Sequence, residues 1–351
     1  MNNKIESADH ASSKSRIFGL DILRSLAILL VLISHFYMHS DYAVQFPWLN
    51  SFGYFGVEIF FALSGFLIGS IILKMDCTHP KNFLKVFWVK RWMRTLPNYY
   101  VILSLELWRQ AVHPYYAKKY FFFLQGVSSA PDDFYGVSWS LAVEEWFYLL
   151  LPLAILLIYR MKANMILSLT LMLIAYTILK YFYAFFNHDL YSQLPRMTFF
   201  RIDAILYGVL LSAVVIYFPK MIERWKYSLF LIAIAGFIAL NFIIPVQSDF
   251  FVLSAKLSLN SLFFTMLIPF ALSMRTNIKF FANSCRVFSE ASYSMYLLHI
   301  PMLALYKYFL LPQLQYNVVG FVVFISTVTM ISIFWFYVFE KPIMKLREYF
   351  I

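Results

Sequence analysis

Two ionisable residues bracket the first apolar stretch of this sequence, RSLAILLVLISH, which begins at Arg24 and ends at His35. An arginine presents a planar cation that suits phosphate oxygens, and a histidine can accept a proton near neutral pH. Their spacing corresponds to about three helical turns and about 16 Å of rise, so the two side chains share one helix face. Ionisable groups are costly inside a bilayer, so the pair indicates a functional site. An interfacial histidine and an arginine that extends to the headgroups are simpler explanations of the same residues.

Four other apolar stretches carry polar residues of the same kind. The stretches are GVEIFFALSGF, SWSLAVEEWFYLLLP, FFRIDAILYG and SYSMYLLHIP, and their polar residues are Glu58, Ser64, Trp139, Ser140, Glu144, Glu145, Arg201, Asp203, Tyr296 and His299. The five charged residues among them, together with His35, fall in the outer half of the membrane. Groups of this kind satisfy one another by facing a common interior, so we expect one polar cavity inside a helix bundle.

The stretch KRWMRTLP places Arg91 and Arg94 one helical turn apart at the mouth of the third apolar segment. Two arginines at this spacing can bind phosphate oxygens from one helix face through charge-assisted hydrogen bonds. An anchor at the cytoplasmic membrane surface explains the spacing equally well. A phosphate site about 16 Å from a histidine suits a donor that is held by its phosphates and extends a long thin arm. Coenzyme A thioesters have this shape.

The elements that must position these residues are membrane helices. The 351 residues are 62% hydrophobic and 13% charged, whereas a soluble protein carries about 25% charged residues. The apolar runs are continuous and about twenty residues long, which is typical of transmembrane helices and not of the alternating strands of a barrel. The sequence therefore predicts an all-α transmembrane bundle in one domain, 1–351. The ten predicted spans are 18–39, 52–73, 84–106, 138–159, 165–186, 198–218, 226–245, 252–272, 289–310 and 317–340.

The distribution of basic residues predicts the orientation of the bundle. With a cytoplasmic N-terminus, 20 of the 29 lysines and arginines lie inside, seven lie outside, and Arg24 and Arg201 fall within spans. This positive-inside bias predicts that both tails, 1–17 and 341–351, are cytoplasmic, and it explains the net charge of +11 without a nucleic-acid partner. The first apolar stretch is too long for a cleaved signal peptide. Cys77 and Cys285 fall on the inner side without metal-binding spacing, so we expect neither a disulfide nor a metal.

In this order along the chain, the motifs resemble the acyltransferase 3 family of integral membrane O-acyltransferases. The matching features are Arg24 with His35, FFALSGF at 60–66, Arg91-x-x-Arg94 with Pro97 and Tyr99, WSLAVEEWFYLLLP from Trp139, Arg201-x-Asp203 with Gly208, SYSMYLLHIP ending at Pro301, and Glu340-Lys-Pro342. The resemblance implies transfer of an acyl group from cytoplasmic acyl-CoA to a hydroxyl of an extracytoplasmic or lipid-linked acceptor, usually a sugar. It also implies ten spans, a catalytic role for His35 and a donor-binding role for the arginine pair. The sequence ends eleven residues after Glu340, so we expect it to lack the hydrolase-like domain that is fused to some members.

The expected reaction begins with acyl-CoA, preferably acetyl-CoA, whose phosphates bind Arg91 and Arg94 with help from Arg24. His35 then removes the proton from the acceptor hydroxyl, or alternatively carries the acyl group covalently. The sequence does not distinguish these two routes.

A carboxylate is expected to orient the imidazole and to stabilise its charged form. Glu144 and Glu145 are the candidates, and they point about 100° apart on a helix. We favour Glu144 as the residue that faces the interior. Trp139 and Tyr148 are interpreted as structural or interfacial, with stacking on a sugar ring as the alternative.

A second class of function is a proton-coupled transporter or flippase of an envelope glycan precursor, because intramembrane histidines and carboxylates also serve proton relays. Against it, the sequence shows no inverted repeat, and the Arg91–Arg94 pair would have no purpose. A third class is a non-catalytic subunit of a polysaccharide assembly machine. The expected partners are membrane lipids, acyl-CoA and a glycan acceptor at the cytoplasmic (inner) membrane, and a homodimer is compatible with the sequence.

Overall fold

The computed structural model describes residues 16–38, 40–113, 115, 117–127, 133–186, 193–243 and 250–351, without the side chains of 250–254. Within these ranges the regular secondary structure is helical, and no β-strand is present. The predicted all-α class is therefore confirmed. The predicted N-terminal tail, 1–17, lies almost entirely outside the described residues.

Ten helices of 16 residues or more occupy the described part of the chain, and each coincides with one predicted span. They are α1 (Phe18–Tyr37), α2 (Trp48–Ile72), α3 (Pro80–Arg109), α4 (Trp139–Arg160), α5 (Met165–Phe186), α6 (Ile202–Tyr217), α7 (Pro219–Ile238), α8 (Phe250–Met266), α9 (Lys279–Phe309) and α10 (Val318–Trp335). Short α-helices lie at Asp41–Gln45, Lys118–Phe121, Ile268–Ser273, Leu311–Leu314 and Lys341–Leu346. Single π-helical segments extend α7 over Ala239–Ile243 and α10 over Phe336–Glu340.

Seven helices in the described ranges are long and apolar enough to cross a membrane by themselves. Of the ten long helices, α6 has 16 residues, and α3 and α9 carry the most polar sequences. These three fall outside the seven because of their length or polarity. The seven apolar helices indicate a multi-pass membrane bundle. The count of ten spans and the cytoplasmic placement of both ends stay predictions.

Helices α2 and α6 approach each other closely enough for their backbones to touch. A Cβ at Gly65 of α2 would lie 1.9 Å from the carbonyl oxygen of Ile205, and a Cβ at Gly208 of α6 would lie 2.4 Å from that of Ala62. No other residue fits at this separation, because any side chain would force the helices apart. The two glycines therefore fix the distance between the helices that carry the buried charged residues.

Helix α1 packs against α2 and α9, and its N-terminal end is held by charge. Arg16 donates through Nε to the carboxylate of Asp21 at 2.8 Å, and through Nη1 to Glu290 of α9 at 2.5 Å. A Cβ at Gly56 of α2 would lie 2.4 Å from the carbonyl oxygen of Ala27 on α1. These contacts set the position of α1, the helix that carries both Arg24 and His35.

Candidate active site

The predicted donor-binding arginines lie together in a cavity of about 280 Å³. We call it the arginine cavity. Its charged lining comes from Arg24 of α1, Arg91 and Arg94 of α3, and Glu144 of α4, and its apolar walls come mainly from α2. Two helices that are far apart in sequence thus direct three guanidinium groups to one space. Arg91 and Arg94 share this space, as their one-turn spacing predicts.

Arg91 is the most firmly held of the three arginines. Its guanidinium carbon lies 3.9 Å from the centre of the Tyr148 ring, and its Nη2 donates to the Tyr148 hydroxyl. That hydroxyl also shares a hydrogen bond with Ser64 of α2. The carboxylate of Glu144 lies 3.7 Å from Nη2 of Arg91. Ser64 and Tyr148, the second of which was interpreted as structural or interfacial, therefore position Arg91.

The charge balance of the arginine cavity suits a polyanion. Three guanidiniums face a single lining carboxylate, Glu144, among the described residues. A second carboxylate, Glu340, is buried near Arg94 and accepts a hydrogen bond from Ser294 at 2.6 Å. Since the cations outnumber the carboxylates that line the space, the cavity suits an anionic ligand.

His35 lines a separate cavity of about 680 Å³, which we call the histidine cavity. Its other lining residues include Trp139, Tyr296, Arg109, Arg196 and Lys307. The ring nitrogen Nδ1 of His35 lies 2.9 Å from the carbonyl oxygen of Val31. A carbonyl can only accept a hydrogen bond, so Nδ1 carries the proton and Nε2 is the basic nitrogen. In the neutral ring, this contact leaves Nε2 as the nitrogen that can accept a proton.

The two cavities lie back to back across a thin partition. Val57 of α2 and Tyr296 of α9 line both of them. The hydroxyl of Tyr296 hydrogen-bonds with Ser140 at 2.7 Å and donates to the carbonyl oxygen of Val137 at 2.9 Å. Ser140 thus helps to fix the tyrosine of the partition.

The predicted contact between His35 and a glutamate of α4 is not found. Glu144 faces the interior, as favoured, but it pairs with Arg91 in the arginine cavity and not with His35. Glu145 is buried beside Thr95 and Trp92 of α3. The physical reason is the direction of α4, which presents Glu144 towards α3 and its arginines. The ring that packs against His35 is instead that of His299, with centroids 4.9 Å apart.

The prediction of one common polar cavity is also wrong. Glu58 and Arg201 form a fully buried ion pair, and Ser261 donates to Glu58 at 2.6 Å. Asp203, likewise fully buried, accepts hydrogen bonds from Lys180 and Ser258, each at 2.6 Å. These residues line neither the arginine cavity nor the histidine cavity. They connect α2, α5, α6 and α8, and hence satisfy one another inside the helix packing.

Sequence reasoning missed several residues of these sites. Lys180 interrupts an otherwise apolar stretch, LMLIAYTILKYFYAFF, and this interruption was the available signal. Glu106, fully buried, pairs with Arg109 at the edge of the histidine cavity. Glu340 was noted only as part of a terminal motif, and the π-helical segment at Phe336–Glu340 includes it among the buried residues. Hydropathy alone does not indicate that Glu106 and Glu340 are buried.

The fold and the site together define a polytopic helical membrane protein with two polar cavities that share a partition. Residues 17–338 match the Acyl_transf_3 family model, described as an acyltransferase domain, and the chain belongs to this acyltransferase 3 family. The family match confirms the resemblance that the motifs indicated.

Three relatives show the extent of the similarity. The peptidoglycan O-acetyltransferase OatA of Listeria monocytogenes is 31% identical over an alignment that covers 43% of this chain and 26% of that protein. YrhL of Bacillus subtilis, provisionally named a peptidoglycan O-acetyltransferase, is 34% identical over 42% of this chain and 25% of its own length. A provisionally named O-acetyltransferase of Staphylococcus aureus is 28% identical over 82% of this chain and 50% of that protein.

The chain therefore spans between a quarter and a half of the length of these curated relatives. No solved structure matches it significantly.

Proposed function

We propose that this chain is a membrane O-acetyltransferase that moves an acetyl group from cytoplasmic acetyl-CoA to a hydroxyl of an extracytoplasmic or lipid-linked glycan. The observation that carries the proposal is the pair of cavities on either side of Tyr296, one lined by three arginines and the other by His35. The names of the relatives, two of which specify peptidoglycan, support the acetyl group and a glycan acceptor.

The arginine cavity binds the phosphates of the donor. Arg24, Arg91 and Arg94 approach from two helices, and a guanidinium can bind two phosphate oxygens at once. Tyr148 and Ser64 hold Arg91 in place before the donor arrives, which reduces the entropy that binding must overcome. Glu144 limits the repulsion between the guanidiniums while the cavity is empty.

His35 acts on the acceptor from the histidine cavity. Its Nε2 takes the proton of the acceptor hydroxyl, and the hydroxyl oxygen attacks the thioester carbonyl carbon. The carbon–sulfur bond then breaks, and the proton on His35 passes to the departing thiolate. The product is an acetyl ester together with free coenzyme A. Transient transfer of the acetyl group to Nε2 of His35 would use the same geometry.

The competing transporter hypothesis has less support. The intramembrane charges that would form a proton relay, Glu58, Arg201 and Asp203, are fully buried and paired with one another or with Lys180. Such pairs stabilise helix packing and offer no continuous path for a proton. Family membership also favours the transferase.

The test uses the full chain in lipid nanodiscs, which expose both membrane faces. Acetyl-CoA labelled in the acetyl group is added with cell-wall glycan fragments, and base-labile label on the glycan is measured. We expect transfer by the wild type, none by His35→Ala, and wild-type transfer by the matched control Lys85→Gln, an exposed cation of α3 outside both cavities. A protein that binds the glycan but neither transfers acetyl groups nor hydrolyses acetyl-CoA would contradict the proposal.

A further inference from the structure

The cations around the histidine cavity are unusual for the side of the membrane on which we expect it. The positive-inside bias leaves seven lysines and arginines for the outer side, which are Arg109, Lys118, Lys119, Lys180, Arg196, Lys256 and Lys307. Three of these seven line the histidine cavity. They come from three separate elements: the end of α3, the turn at Leu194–Arg196, and α9. The positive-inside rule does not explain why three outer cations converge on one cavity, because that rule favours few cations on the outer side.

The charge of the cavity is not balanced by its own lining. Among the described lining residues no carboxylate occurs. Arg109 is neutralised by the buried Glu106, whose oxygens accept from its Nε at 3.0 Å and its Nη2 at 2.5 Å. Within the described ranges, the side chains of Arg196 and Lys307 form no ion pair or hydrogen bond. Two positive charges that share a cavity with His35 thus have no compensating group among the described residues.

The backbone that carries Arg196 is fixed. The amide of Thr198 donates to the carbonyl oxygen of Gly126 at 2.6 Å, and the Thr198 hydroxyl donates to the carbonyl oxygen of Gln125 at 3.1 Å. Gly126 has a φ of +82°, which glycine adopts without strain. Leu194 and Met197, on either side of Arg196, belong to a small buried cluster. The cation is therefore presented at a defined place on the cavity rim.

From this placement we infer that the acceptor of the reaction is anionic, and that Arg196 and Lys307 bind its carboxylate or phosphate groups while a neighbouring hydroxyl lies at His35. The inference rests on the proposed function and specifies the substrate class for the same site. A cavity of about 680 Å³ falls in the usual range for ligand pockets and accommodates a short oligosaccharide. The anionic groups can belong to the sugars themselves or to a phosphate link at the end of the glycan. Arg196 and Lys307 bind and orient the acceptor, and His35 performs the proton transfer.

The experiment compares three acceptors of equal length in the nanodisc assay with labelled acetyl-CoA. They are an uncharged N-acetylglucosamine tetrasaccharide, the same tetrasaccharide with a terminal phosphate, and a tetrasaccharide in which alternate sugars carry a carboxyethyl ether. We expect kcat/KM to be at least tenfold higher for one or both anionic acceptors than for the uncharged one. Comparison of the phosphorylated with the carboxylated tetrasaccharide identifies which source of negative charge the cavity binds. Higher salt should reduce this preference, because partly exposed charges are screened.

Substitution then tests the two cations directly. Arg196→Gln with Lys307→Gln should lower the ratio of anionic to neutral kcat/KM at least tenfold, and Arg196→Glu with Lys307→Glu should invert it. The matched control is Lys118→Gln with Lys119→Gln, which removes two outer cations that do not line the cavity. Binding of acetyl-CoA by each variant shows that it is folded.

The possible outcomes separate this inference from the proposed function. If the wild type neither transfers acetyl groups nor hydrolyses acetyl-CoA, both the proposed function and the anionic acceptor are contradicted. If it transfers acetyl groups but prefers the uncharged acceptor, only the anionic acceptor is overturned. The same conclusion follows if the double Gln variant and its control keep the wild-type ratio.

Discussion

The imidazole rings of His35 and His299 meet edge to face between α1 and α9, with their centroids 4.9 Å apart. His35 lines the histidine cavity, whereas His299 is fully buried and lines neither cavity. The Nδ1 of His299 lies 3.3 Å from the carbonyl oxygen of Met295, one turn earlier in its own helix. The two histidines are therefore not equivalent: His35 can meet an acceptor, and His299 supports the orientation of its ring.

This relationship predicts a graded effect of substitution. His35→Ala should lower acetyl transfer at least hundredfold, since a positioned base is worth about 10²–10⁴-fold in rate. His299→Phe keeps a ring against His35 and should lower transfer by only about tenfold. Both variants should still bind acetyl-CoA, because the arginine cavity is unchanged. If His35→Ala keeps more than about a tenth of the wild-type turnover, His35 is not the base.

The helical class, the places of the long helices and the convergence of Arg91 and Arg94 on one cavity could be predicted from the sequence. Apolar runs of membrane length and the one-turn spacing of Arg91 and Arg94 are local features. The partners of the buried charges are not local. A helix that is apolar on every side, such as α6, carries no amphipathic signal that shows which way Arg201 and Asp203 point. Their partners are apparent only in the packed helices, where Gly65 and Gly208 let α2 and α6 approach closely.

Glu144 shows in the candidate active site, too, that the partner of a charged residue cannot be predicted from local sequence. Sequence reasoning chose the inward-facing glutamate of the pair but assigned it to the wrong partner. The partner depends on which helix packs against α4 at Glu144, and no motif records that contact. Within the structure, Arg91 is the residue that lies 3.7 Å from Glu144.

The arginine cavity predicts the strength of donor binding. Arg91→Gln with Arg94→Gln should raise the Kd for acetyl-CoA at least tenfold, since hydrogen bonds to charged groups contribute about 1.5–3 kcal/mol each. Lysine should restore binding only in part, because it lacks the planar fork of arginine. The matched control is Lys85→Gln with Lys90→Gln, two exposed cations of the same helix. The Kd is measured by titrating detergent-purified or nanodisc-inserted protein with acetyl-CoA. An unchanged Kd in the Arg91/Arg94 variant would show that these arginines are surface anchors and do not bind the donor.

The orientation of the bundle predicts which loops can be labelled from each side. A cysteine at position 45, an exposed position between α1 and α2, should react with an impermeant maleimide added outside intact cells. A cysteine at position 162, an exposed position between α4 and α5, should react only after the cells are opened. Cys77 and Cys285 are first replaced by serine so that the label reports a single site. Labelling of position 45 from the cytoplasmic side alone would reverse the predicted topology.

The buried pair of Glu58 and Arg201 predicts a test of stability that is separate from catalysis. Glu58→Gln or Arg201→Met alone leaves one charge buried without its partner, which typically costs about 3–5 kcal/mol. The double variant removes both charges, so its loss should be smaller than the sum of the two single losses. Thermal unfolding of the purified protein measures the three changes. Additive losses would show that the two side chains do not act as a pair.

The partition at Tyr296 predicts how well the enzyme keeps water from the donor. Its ring stands between the two cavities, and its hydroxyl is held by Ser140 and by the carbonyl oxygen of Val137. Tyr296→Ala removes the ring and joins the cavities, so water from the histidine cavity can reach the donor arm. We expect acetyl-CoA hydrolysis to rise at least several-fold relative to transfer. Tyr296→Phe keeps the ring and should change this ratio much less.

The matched control for this partition is Tyr293→Ala, which removes a tyrosine that lines only the arginine cavity. Tyr293 donates to the carbonyl oxygen of Thr95 at 3.0 Å and lies slightly less than one helical turn from Tyr296. Its loss therefore disturbs α9 without opening the partition. Free coenzyme A and acetylated glycan are measured in the same reaction. Equal hydrolysis-to-transfer ratios in Tyr293→Ala and Tyr296→Ala would show that Tyr296 does not separate donor from water.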